Sequence, residues 1–266
     1  MYERLGLPEQ RDGQVFRYTA QPAHGHHRHD ELEWNLAIRG TCSYLVAKQR
    51  YDLRRHSLIW LFPGQEHVLV NPSADCELWV GTVRLSALRR AARVALDARL
   101  LEANPAWHLA RPLPASASVR LAALSEHLSE VTDHDRYNTG LLHVALECWA
   151  AFDAAALEMP ARVHPAVDLA AHLLSRRDHP ASLNELARRV GLSPGRLSRA
   201  FHRDLGVTLV DYRNRVRLER FIAAREPGGT QSILAAALAA GFGSYPQFHR
   251  VYVKHFGTTP RAHDKK

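Results

Sequence analysis

A short pattern of residues occurs twice near the C-terminal end of the chain, fifty positions apart. In the first copy, Ala187 and Gly191 lie in a segment that predicts a short helix followed by a glycine turn. Ala237 and Gly241 occupy the equivalent positions of the second copy, residues 232–244. A small residue lets two helices cross closely, and glycine accepts the backbone conformation of a tight turn. The pattern therefore predicts a helix-turn-helix unit in each copy.

The residues that follow each turn extend this repeat. After one inserted residue, the second copy repeats five further positions of the first: Phe248, Arg250, Tyr252, Gly257 and Thr259 correspond to Leu197, Arg199, Phe201, Gly206 and Thr208. The apolar positions are spaced four apart, so they lie on one face of a helix and predict packing against a core. A single match of this kind is weak evidence, whereas two matches in register indicate a duplicated DNA-binding module.

Charge is distributed unevenly along the chain. Residues 1–160 contain 17 Lys and Arg against 19 Asp and Glu, a net charge of −2. Residues 161–266 contain 18 against 8, a net charge of +10. Neutralisation of phosphates supplies most of the non-specific affinity for nucleic acid, so this asymmetry favours a polyanion-binding surface in the C-terminal part. The alternative is a charged face that is simply solvated.

The N-terminal half shows short apolar runs broken by Gly, Pro, Asn and Asp. These runs are residues 33–38, 42–46, 57–62, 67–70 and 78–83. Their regular spacing predicts a small antiparallel barrel or sandwich. The fold class is therefore predicted to be multi-domain α+β, with an N-terminal β-barrel that is followed by helices, and an all-α C-terminal domain with two helix-turn-helix units.

Beyond residue 85 the apolar period becomes helical, which predicts helices over residues 85–102, 115–132 and 137–157. Their apolar faces could form a dimer interface or pack on the barrel, and the sequence does not decide between these. Residues 158–165 contain two prolines and little periodicity, which predicts a linker. The predicted domains are residues 1–158 and 165–266.

Composition argues against several classes of protein. No run of eighteen apolar residues and no signal-peptide pattern is present, so we expect a cytoplasmic location and no membrane partner. Cys42, Cys76 and Cys148 form no Cys-x-x-Cys pair, which argues against a disulfide framework or a thiolate zinc site and favours ordinary core positions. No nucleophile arrangement and no phosphate-binding glycine loop is evident, so no catalytic residue is predicted.

At residues 165–262 the sequence resembles the AraC/XylS family of bacterial transcription regulators. The most specific stretch is residues 240–252, followed by residues 255–260. The resemblance implies that the C-terminal domain binds promoter DNA through the exposed positions of two recognition helices. These positions are Gly195, Arg196, Ser198 and Arg199 in the first helix, and Tyr245, Gln247, His249 and Arg250 in the second.

Helix phase aims Arg199 and Arg250 away from the core, so both are predicted to contact DNA rather than solvent alone. Residues 209–224 predict one helix between the two units, about 24 Å long at 1.5 Å per residue. This helix would set the separation of the recognition helices. Two helices that enter the major groove on one face lie roughly 34 Å apart, unless the DNA bends.

Histidines in the N-terminal half resemble the two motifs of cupin barrels. His27, His29 and Glu33 resemble the first motif, and His67, which follows Pro63-Gly64, resembles the second. Alternate residues of a strand share a face, so these side chains are predicted to point into the barrel. Three histidines and one carboxylate can hold zinc, nickel, iron or manganese. The alternatives are polar residues that line an effector pocket, and interior histidines that are simply hydrogen-bonded.

Together these features predict a transcription regulator whose promoter binding is controlled by a small-molecule or metal signal in the N-terminal barrel. The expected partners are double-stranded promoter DNA, an effector of unknown identity, RNA polymerase and a second copy of the chain. The alternative is a metal-dependent cupin enzyme, or a metal sensor coupled to DNA binding. The duplicated module argues against an enzyme, because a metabolic enzyme has no use for a basic domain of this size.

Overall fold

The structure is a computed structural model of the full chain. It describes residue 2 and residues 5–19, 25–91, 97–105, 109–157, 160–176, 182–225 and 232–263. The described residues divide into two compact units: an N-terminal unit that ends at Pro165, and a C-terminal unit from Ala166 onwards, to which Gly25 also belongs. Each unit is described separately below.

The N-terminal unit contains two antiparallel sheets. Its strands are β1 (Gly13–Thr19), β2 (Leu32–Arg39), β3 (Thr41–Val46), β4 (Gln49–Arg54), β5 (Ser57–Leu61), β6 (His67–Val70), β7 (Glu77–Val83), β8 (Ala110–Pro112) and β9 (Ala161–Arg162). One sheet has the order β1-β7-β2-β5-β8, and the other has the order β6-β3-β4-β9. The predicted antiparallel, sheet-rich N-terminal domain is confirmed.

Helices cover one face of the larger sheet. They are α1 (Leu85–Ala91), α2 (Ala115–Ser129) and α3 (His134–Ala154). Trp34 of β2 lies beside Trp60 of β5, with ring centroids 5.6 Å apart, and Trp60 contacts Trp149 of α3 at 5.5 Å. The Tyr137 hydroxyl of α3 accepts a hydrogen bond from the backbone N–H of Val15 at 2.7 Å. The apolar faces of these helices therefore pack on the sheet, while a dimer interface stays a prediction.

The helix predicted over residues 85–102 is wrong in its length. Helix α1 ends at Ala91, residues 92–96 lie outside the described part, and a 3₁₀ turn follows at Ala98–Leu101. Asp97 caps the start of this 3₁₀ turn, because its carboxylate accepts a hydrogen bond from the backbone N–H of Arg99 at 3.0 Å. Trp149 Nε1 donates to the same side chain at 3.0 Å, which fixes the turn against α3.

The segment predicted as a linker also contains regular structure. Ala161 and Arg162 form strand β9, which pairs with Arg50 and Gln49 at the edge of the smaller sheet. The backbone N–H of Val163 then donates to the carbonyl of Lys48 at 3.1 Å. The two paired segments lie more than a hundred residues apart in the sequence. The prolines of residues 158–165 therefore predicted a linker and gave no sign of this strand.

Gly81 of β7 is required by the packing of Trp34, and it gives a test of this core. The two residues face each other across β2 and β7, and a Cβ atom at Gly81 would overlap the indole ring of Trp34. Trp34 is fully buried and has no room to move. We expect Gly81→Ala to lower the free energy of unfolding by about 1–3 kcal/mol, measured by urea denaturation with tryptophan fluorescence.

The matched control for Gly81→Ala is Gly140→Ala in α3. A Cβ atom at Gly140 would meet only a Leu128 methyl group, at 2.9 Å, and alanine favours the helix. We expect this control to change stability much less. A Gly81→Ala variant within about 0.5 kcal/mol of the wild type would show that the predicted overlap is relieved at little cost.

The C-terminal unit is entirely helical in its described residues. Its helices are α4 (Pro165–Ser175), α5 (Leu183–Arg189), α6 (Pro194–Leu205), α7 (Leu209–Ala223), α8 (Ile233–Ala239), α9 (Tyr245–Phe256) and α10 (Pro260–His263). Helix α7 corresponds to the helix predicted between the two units. The predicted helical C-terminal domain is confirmed. No helix in the described part of the chain is long and apolar enough to cross a membrane.

Candidate functional site

The two copies of the sequence repeat fold into the same turn. In the pair α5–α6, the backbone N–H of Leu192 donates to the carbonyl of Ala187 at 3.0 Å. In the pair α8–α9, Phe242 donates to Ala237 at 3.1 Å. The turn glycines, Gly191 and Gly241, have φ angles of 72° and 94°, a region that favours glycine. Both alanines are buried, so the small side chain is needed where the helices cross.

Equivalent residues also begin and end the helices of each pair. The side chains of Ser182 and Ser232 each accept a hydrogen bond from a backbone N–H of the first helical turn, at 3.1 Å in both cases. Helices α6 and α9 end at Gly206 and Gly257, which have φ angles of 70° and 66°. Serine caps and left-handed glycines are strong local signals, which is why the repeat was visible in the sequence.

The second helix of each pair has a buried face and an exposed face. Leu197 and Phe201 of α6 are buried, as are Phe248 and Tyr252 of α9. The predicted DNA-binding residues lie elsewhere on these helices. Gly195, Arg196, Arg199 and Arg250 are exposed, whereas Ser198, Tyr245, Gln247 and His249 are half-buried. All eight therefore have some solvent-accessible surface, and the arginines have the most freedom to reach a nucleic acid.

The structure adds detail to the second recognition helix. The side-chain oxygen of Gln247 accepts from the backbone N–H of Gly243 at 3.0 Å, so part of this amide stabilises the turn. Arg261, which the sequence did not indicate, lines an open groove of about 770 Å³ together with Tyr245, His249 and Arg250. It follows the Gly-Thr-Thr-Pro segment that ends the second copy of the repeat, and it is exposed. Arg261 is therefore a further cation on the same surface.

Helix α7 contacts both α6 and α9, the two predicted recognition helices. The ring of Tyr212 lies 5.3 Å from that of Phe201 in α6, and the ring of Phe221 lies 4.5 Å from that of Phe248 in α9. Near its start, Asp211 lies 3.3 Å from the Nζ atom of Lys254 in α9. These contacts at both ends of one helix fix the positions of α6 and α9 relative to each other.

Some arginines of the basic domain are not available to DNA. Arg215 and Arg217 of α7 are only 9% and 7% exposed. The Arg215 guanidinium lies 3.9 Å from the Glu219 carboxylate, and that of Arg217 lies over the Phe242 ring at 5.8 Å. Burial lowers the pKa of Arg217 to about 10. Net charge therefore overstates the number of phosphate contacts that this domain can make.

A second cluster of polar residues lies inside the N-terminal unit. Backbone hydrogen bonds in both directions join His27 to His67, at 3.1 and 2.9 Å. The imidazole ring of His67 lies 4.3 Å from that of His27 and 5.3 Å from that of His29, centroid to centroid. One ring nitrogen from each histidine lies within 4.8 Å of the other two. The structure thus brings the three predicted histidines together.

Backbone carbonyl groups orient two of these rings. His67 Nδ1 lies 2.9 Å from the carbonyl oxygen of Gln65, and His29 Nδ1 lies 3.1 Å from that of Glu31. A carbonyl can only accept, so each Nδ1 carries the proton and each Nε2 is left for another partner. His67 Nε2 has no hydrogen-bond partner among the described residues, and His67 is 1% exposed.

Glu33 is held against the same cluster. Its Oε2 atom lies 2.9 Å from His29 Nε2, and its Oε1 atom accepts from Asn35 Nδ2 at 2.6 Å. Burial alone would raise the pKa of Glu33, but the hydrogen bond from His29 and the nearby His67 lower it to about 2. Burial and the neighbouring His27 lower the pKa of His67 to about 3. The cluster therefore combines a carboxylate with the neutral imidazole of His67.

The backbone structure that brings the histidines together differs from the predicted strand alternation. Strand β2 begins at Leu32, so His27 and His29 precede it, and strand alternation does not align them with Glu33. The bridge between His27 and His67 places them instead. The three predicted histidines converge, Glu33 contacts His29, and whether these residues hold a metal stays a prediction.

Comparison with known proteins identifies both parts of the chain. Residues 186–266 match the model of a helix-turn-helix domain, and residues 13–136 match the model of an AraC-like ligand-binding domain. The chain is 37% identical over 86 residues to the probable transcription factor PqrA of Proteus vulgaris. That alignment covers 32% of this chain and 69% of PqrA.

Solved structures of AraC-type regulators also align with this chain. One is a transcriptional regulator with an AraC-type DNA-binding domain from Chromobacterium violaceum, at 31% identity over 38% of this chain and 90% of that chain, with a TM-score of 0.33. Another is ToxT from Vibrio cholerae with a bound unsaturated fatty acid, at 13% identity over 95% of this chain and 94% of that chain, with a TM-score of 0.39.

The family models cover both the sheet-rich unit with its histidine cluster and most of the helical unit with its repeated turn. The identity to PqrA covers more than two thirds of that protein. The resemblance inferred from the repeat is therefore confirmed, and the chain belongs to the AraC family of transcription regulators.

Proposed function

We propose that this chain is a metal-responsive regulator of transcription. Two helix-turn-helix units, α5–α6 and α8–α9, bind promoter DNA, and a divalent transition-metal ion in a cupin-like N-terminal barrel controls that binding. The observation that favours a metal over an organic effector is the cluster of His27, His29 and His67, whose ring nitrogens lie within 4.8 Å of one another, with the Glu33 carboxylate 2.9 Å from His29 Nε2. Contact with RNA polymerase and formation of a homodimer stay predictions.

Repeated geometry supports two DNA-binding units rather than one. Each pair has the same glycine turn, the same serine cap and an exposed arginine, Arg199 or Arg250, on its second helix. Such a helix enters the major groove, where an arginine can donate two hydrogen bonds to guanine. Because α7 contacts both α6 and α9, the two units bind DNA as one rigid body and recognise a longer DNA sequence than either unit would alone.

The donor set fits a first-row transition metal. An ion that lies 2.0–2.2 Å from each ligand needs donor atoms roughly 3–4.4 Å apart, so nitrogens within 4.8 Å require only small ring rotations. The carbonyls of Gln65 and Glu31 orient the rings of His67 and His29, and Asn35 orients Glu33. Outer partners of this kind are typical of metal sites. Three nitrogens and one oxygen suit zinc, nickel, iron or manganese.

A metal ion would also resolve two local conflicts. Both ring nitrogens of His29 face acceptors: Nδ1 lies 3.1 Å from the Glu31 carbonyl, and Nε2 lies 2.9 Å from Glu33 Oε2. Without an ion, the ring must therefore carry a proton on each nitrogen to satisfy both contacts. His67 Nε2 is buried and has no hydrogen-bond partner in the part of the chain that the structure describes, which is costly in a protein interior. An ion bound by both nitrogens and the carboxylate satisfies all three groups at once.

The test measures metal content and DNA binding on the same full-length protein. Genome-wide mapping of bound DNA first supplies a promoter fragment. The protein is then stripped with chelator, reloaded separately with zinc, nickel, manganese or ferrous iron, and titrated with the fragment by fluorescence anisotropy. We expect about one bound metal per chain and a change in DNA affinity of roughly 5- to 150-fold between the two forms.

The outcomes separate the two parts of the proposal. Equal DNA affinity of the stripped and loaded forms would remove the metal as the signal and favour a small-molecule effector, leaving the DNA-binding part intact. Failure of mapping to enrich any site over the control would overturn the regulator itself.

A further inference from the structure

Two of the three cysteines lie together, although the sequence gives no sign of this. Cys42 is the second residue of β3, and Cys76 immediately precedes β7. Their thiols interact with each other electrostatically, and they are only 3% and 1% exposed. The interpretation of both as ordinary core residues is therefore incomplete, because the fold creates a thiol pair.

The backbone around the pair is tightly fixed. The backbone N–H of Ser73 donates to the carbonyl of Thr41 at 2.8 Å, and that of Thr41 donates to Ser73 Oγ at 2.9 Å. Cys76 then donates to the Ser73 carbonyl at 3.0 Å. A Cβ atom at Gly40 would lie 2.8 Å from Cys76 Cα, so the two segments pack directly together. Little main-chain movement is available to separate the sulfurs.

A small polar pocket reaches Cys42, one member of this pair. Its volume is about 240 Å³, and it is lined by Thr41, Cys42, Ser43, Asp52, Leu53, Arg54 and Asn71. A water molecule occupies about 30 Å³ in the liquid, so a small hydroperoxide fits. Cys148 differs, because it lies within α3 and does not line this pocket. Burial raises the pKa of its thiol, as it does that of Cys42.

We propose that Cys42 and Cys76 form a thiol modification site at which a small hydroperoxide produces a disulfide between the two sheets. The site lies away from the histidine cluster: Val46, not Cys42, is the β3 residue paired with His67. Four residues of a strand span about 13 Å. The proposal therefore goes beyond metal control and does not depend on it.

The chemistry balances with the hydroperoxide as oxidant. One thiolate attacks the peroxide, so that an S–O bond forms, the O–O bond breaks and the released alkoxide takes up the thiol proton. The other sulfur then attacks the sulfenic acid, so that the S–S bond forms and water leaves. Overall, two thiols and one hydroperoxide give one disulfide, one alcohol and one water. The interaction with Cys42 lowers the pKa of Cys76, which favours a thiolate in this pair.

The experiment maps disulfides in the full-length wild-type protein. The protein is treated with hydrogen peroxide in the presence of chelator, free thiols are alkylated, and the unreduced digest is analysed by mass spectrometry. We expect a cross-linked peptide that joins Cys42 to Cys76, while Cys148 remains alkylated. Dithiothreitol should abolish the cross-link, and the oxidised form should melt about 5–10 °C higher than the reduced form.

Variants and an unfolded control make the outcome decisive. Cys148→Ser should behave as the wild type, whereas Cys42→Ser should lose the cross-link and leave Cys76 as a sulfenic acid that dimedone traps. Cys42→Ala should also lose the cross-link, and its Cys76 should oxidise more slowly, because the interaction that lowers the pKa of Cys76 is removed. In urea the three cysteines should react alike. Absence of the cross-linked peptide from folded wild-type protein, or oxidation of Cys148 at the same rate as the pair, would overturn the proposal.

Discussion

Replacement of Arg199 and Arg250 together by alanine is expected to lower affinity for a cognate promoter fragment by about 2–6 kcal/mol, which is roughly 30-fold to 10⁴-fold. An arginine paired with guanine contributes about 1–3 kcal/mol of discrimination. The two residues lie on different helices, α6 and α9, so their effects should add. Fluorescence anisotropy against matched and scrambled fragments measures the loss.

Arg189→Ala is the matched control for this variant. Arg189 belongs to the same basic domain but lies on α5, where it forms an ion pair with Glu185. Its removal should change affinity for matched and scrambled DNA equally and weakly, because only general charge is lost. A footprint that survives in the double variant, with circular dichroism of a folded protein, would show that neither arginine contacts a base.

The second large effect is expected at the histidine cluster. At the proposed metal site, His67→Ala removes a buried imidazole whose Nε2 has no other partner among the described residues, so we expect the purified protein to retain almost no metal. Asn35→Ala should weaken metal affinity by about 10- to 100-fold, because Asn35 only orients Glu33. Elemental mass spectrometry and competition with a chromogenic chelator measure the two effects.

His143→Ala serves as the control, because His143 is an exposed histidine on α3 of the same unit. It should retain the metal content of the wild type. Retention of one metal per chain by His67→Ala would instead place the ion elsewhere. An Asn35→Ala variant as deficient as His67→Ala, but with a lower unfolding midpoint, would indicate structural damage.

The parts of this molecule that could be predicted are those set by local chemistry. Gly191 and Gly241 terminate helices because of their own backbone freedom, and Ser182 and Ser232 cap helices that begin beside them. A window of a dozen residues contains all of that information. The repeat, its caps and its buried apolar positions were therefore visible without a structure.

The parts that could not be predicted depend on contacts between distant segments. Strand β9 forms because Arg162 reaches Gln49, and the histidines meet because His27 bridges to His67. The pair of Cys42 and Cys76 has the same origin, since the loop before β7 is fixed to the start of β3. No periodicity encodes such pairings, and so motif spacing predicted the histidine set while missing the thiol pair.

The contacts of helix α7 have a consequence for the DNA itself. Phe201 with Tyr212, and Phe221 with Phe248, hold the two recognition helices at one spacing and one relative rotation. Each base pair added between the two bound segments would move one of them by about 3.4 Å and turn it by roughly 35° around the duplex axis. If both helices bind DNA as proposed, we therefore expect a promoter of this regulator to tolerate base changes between its two contacted segments far better than insertions or deletions there.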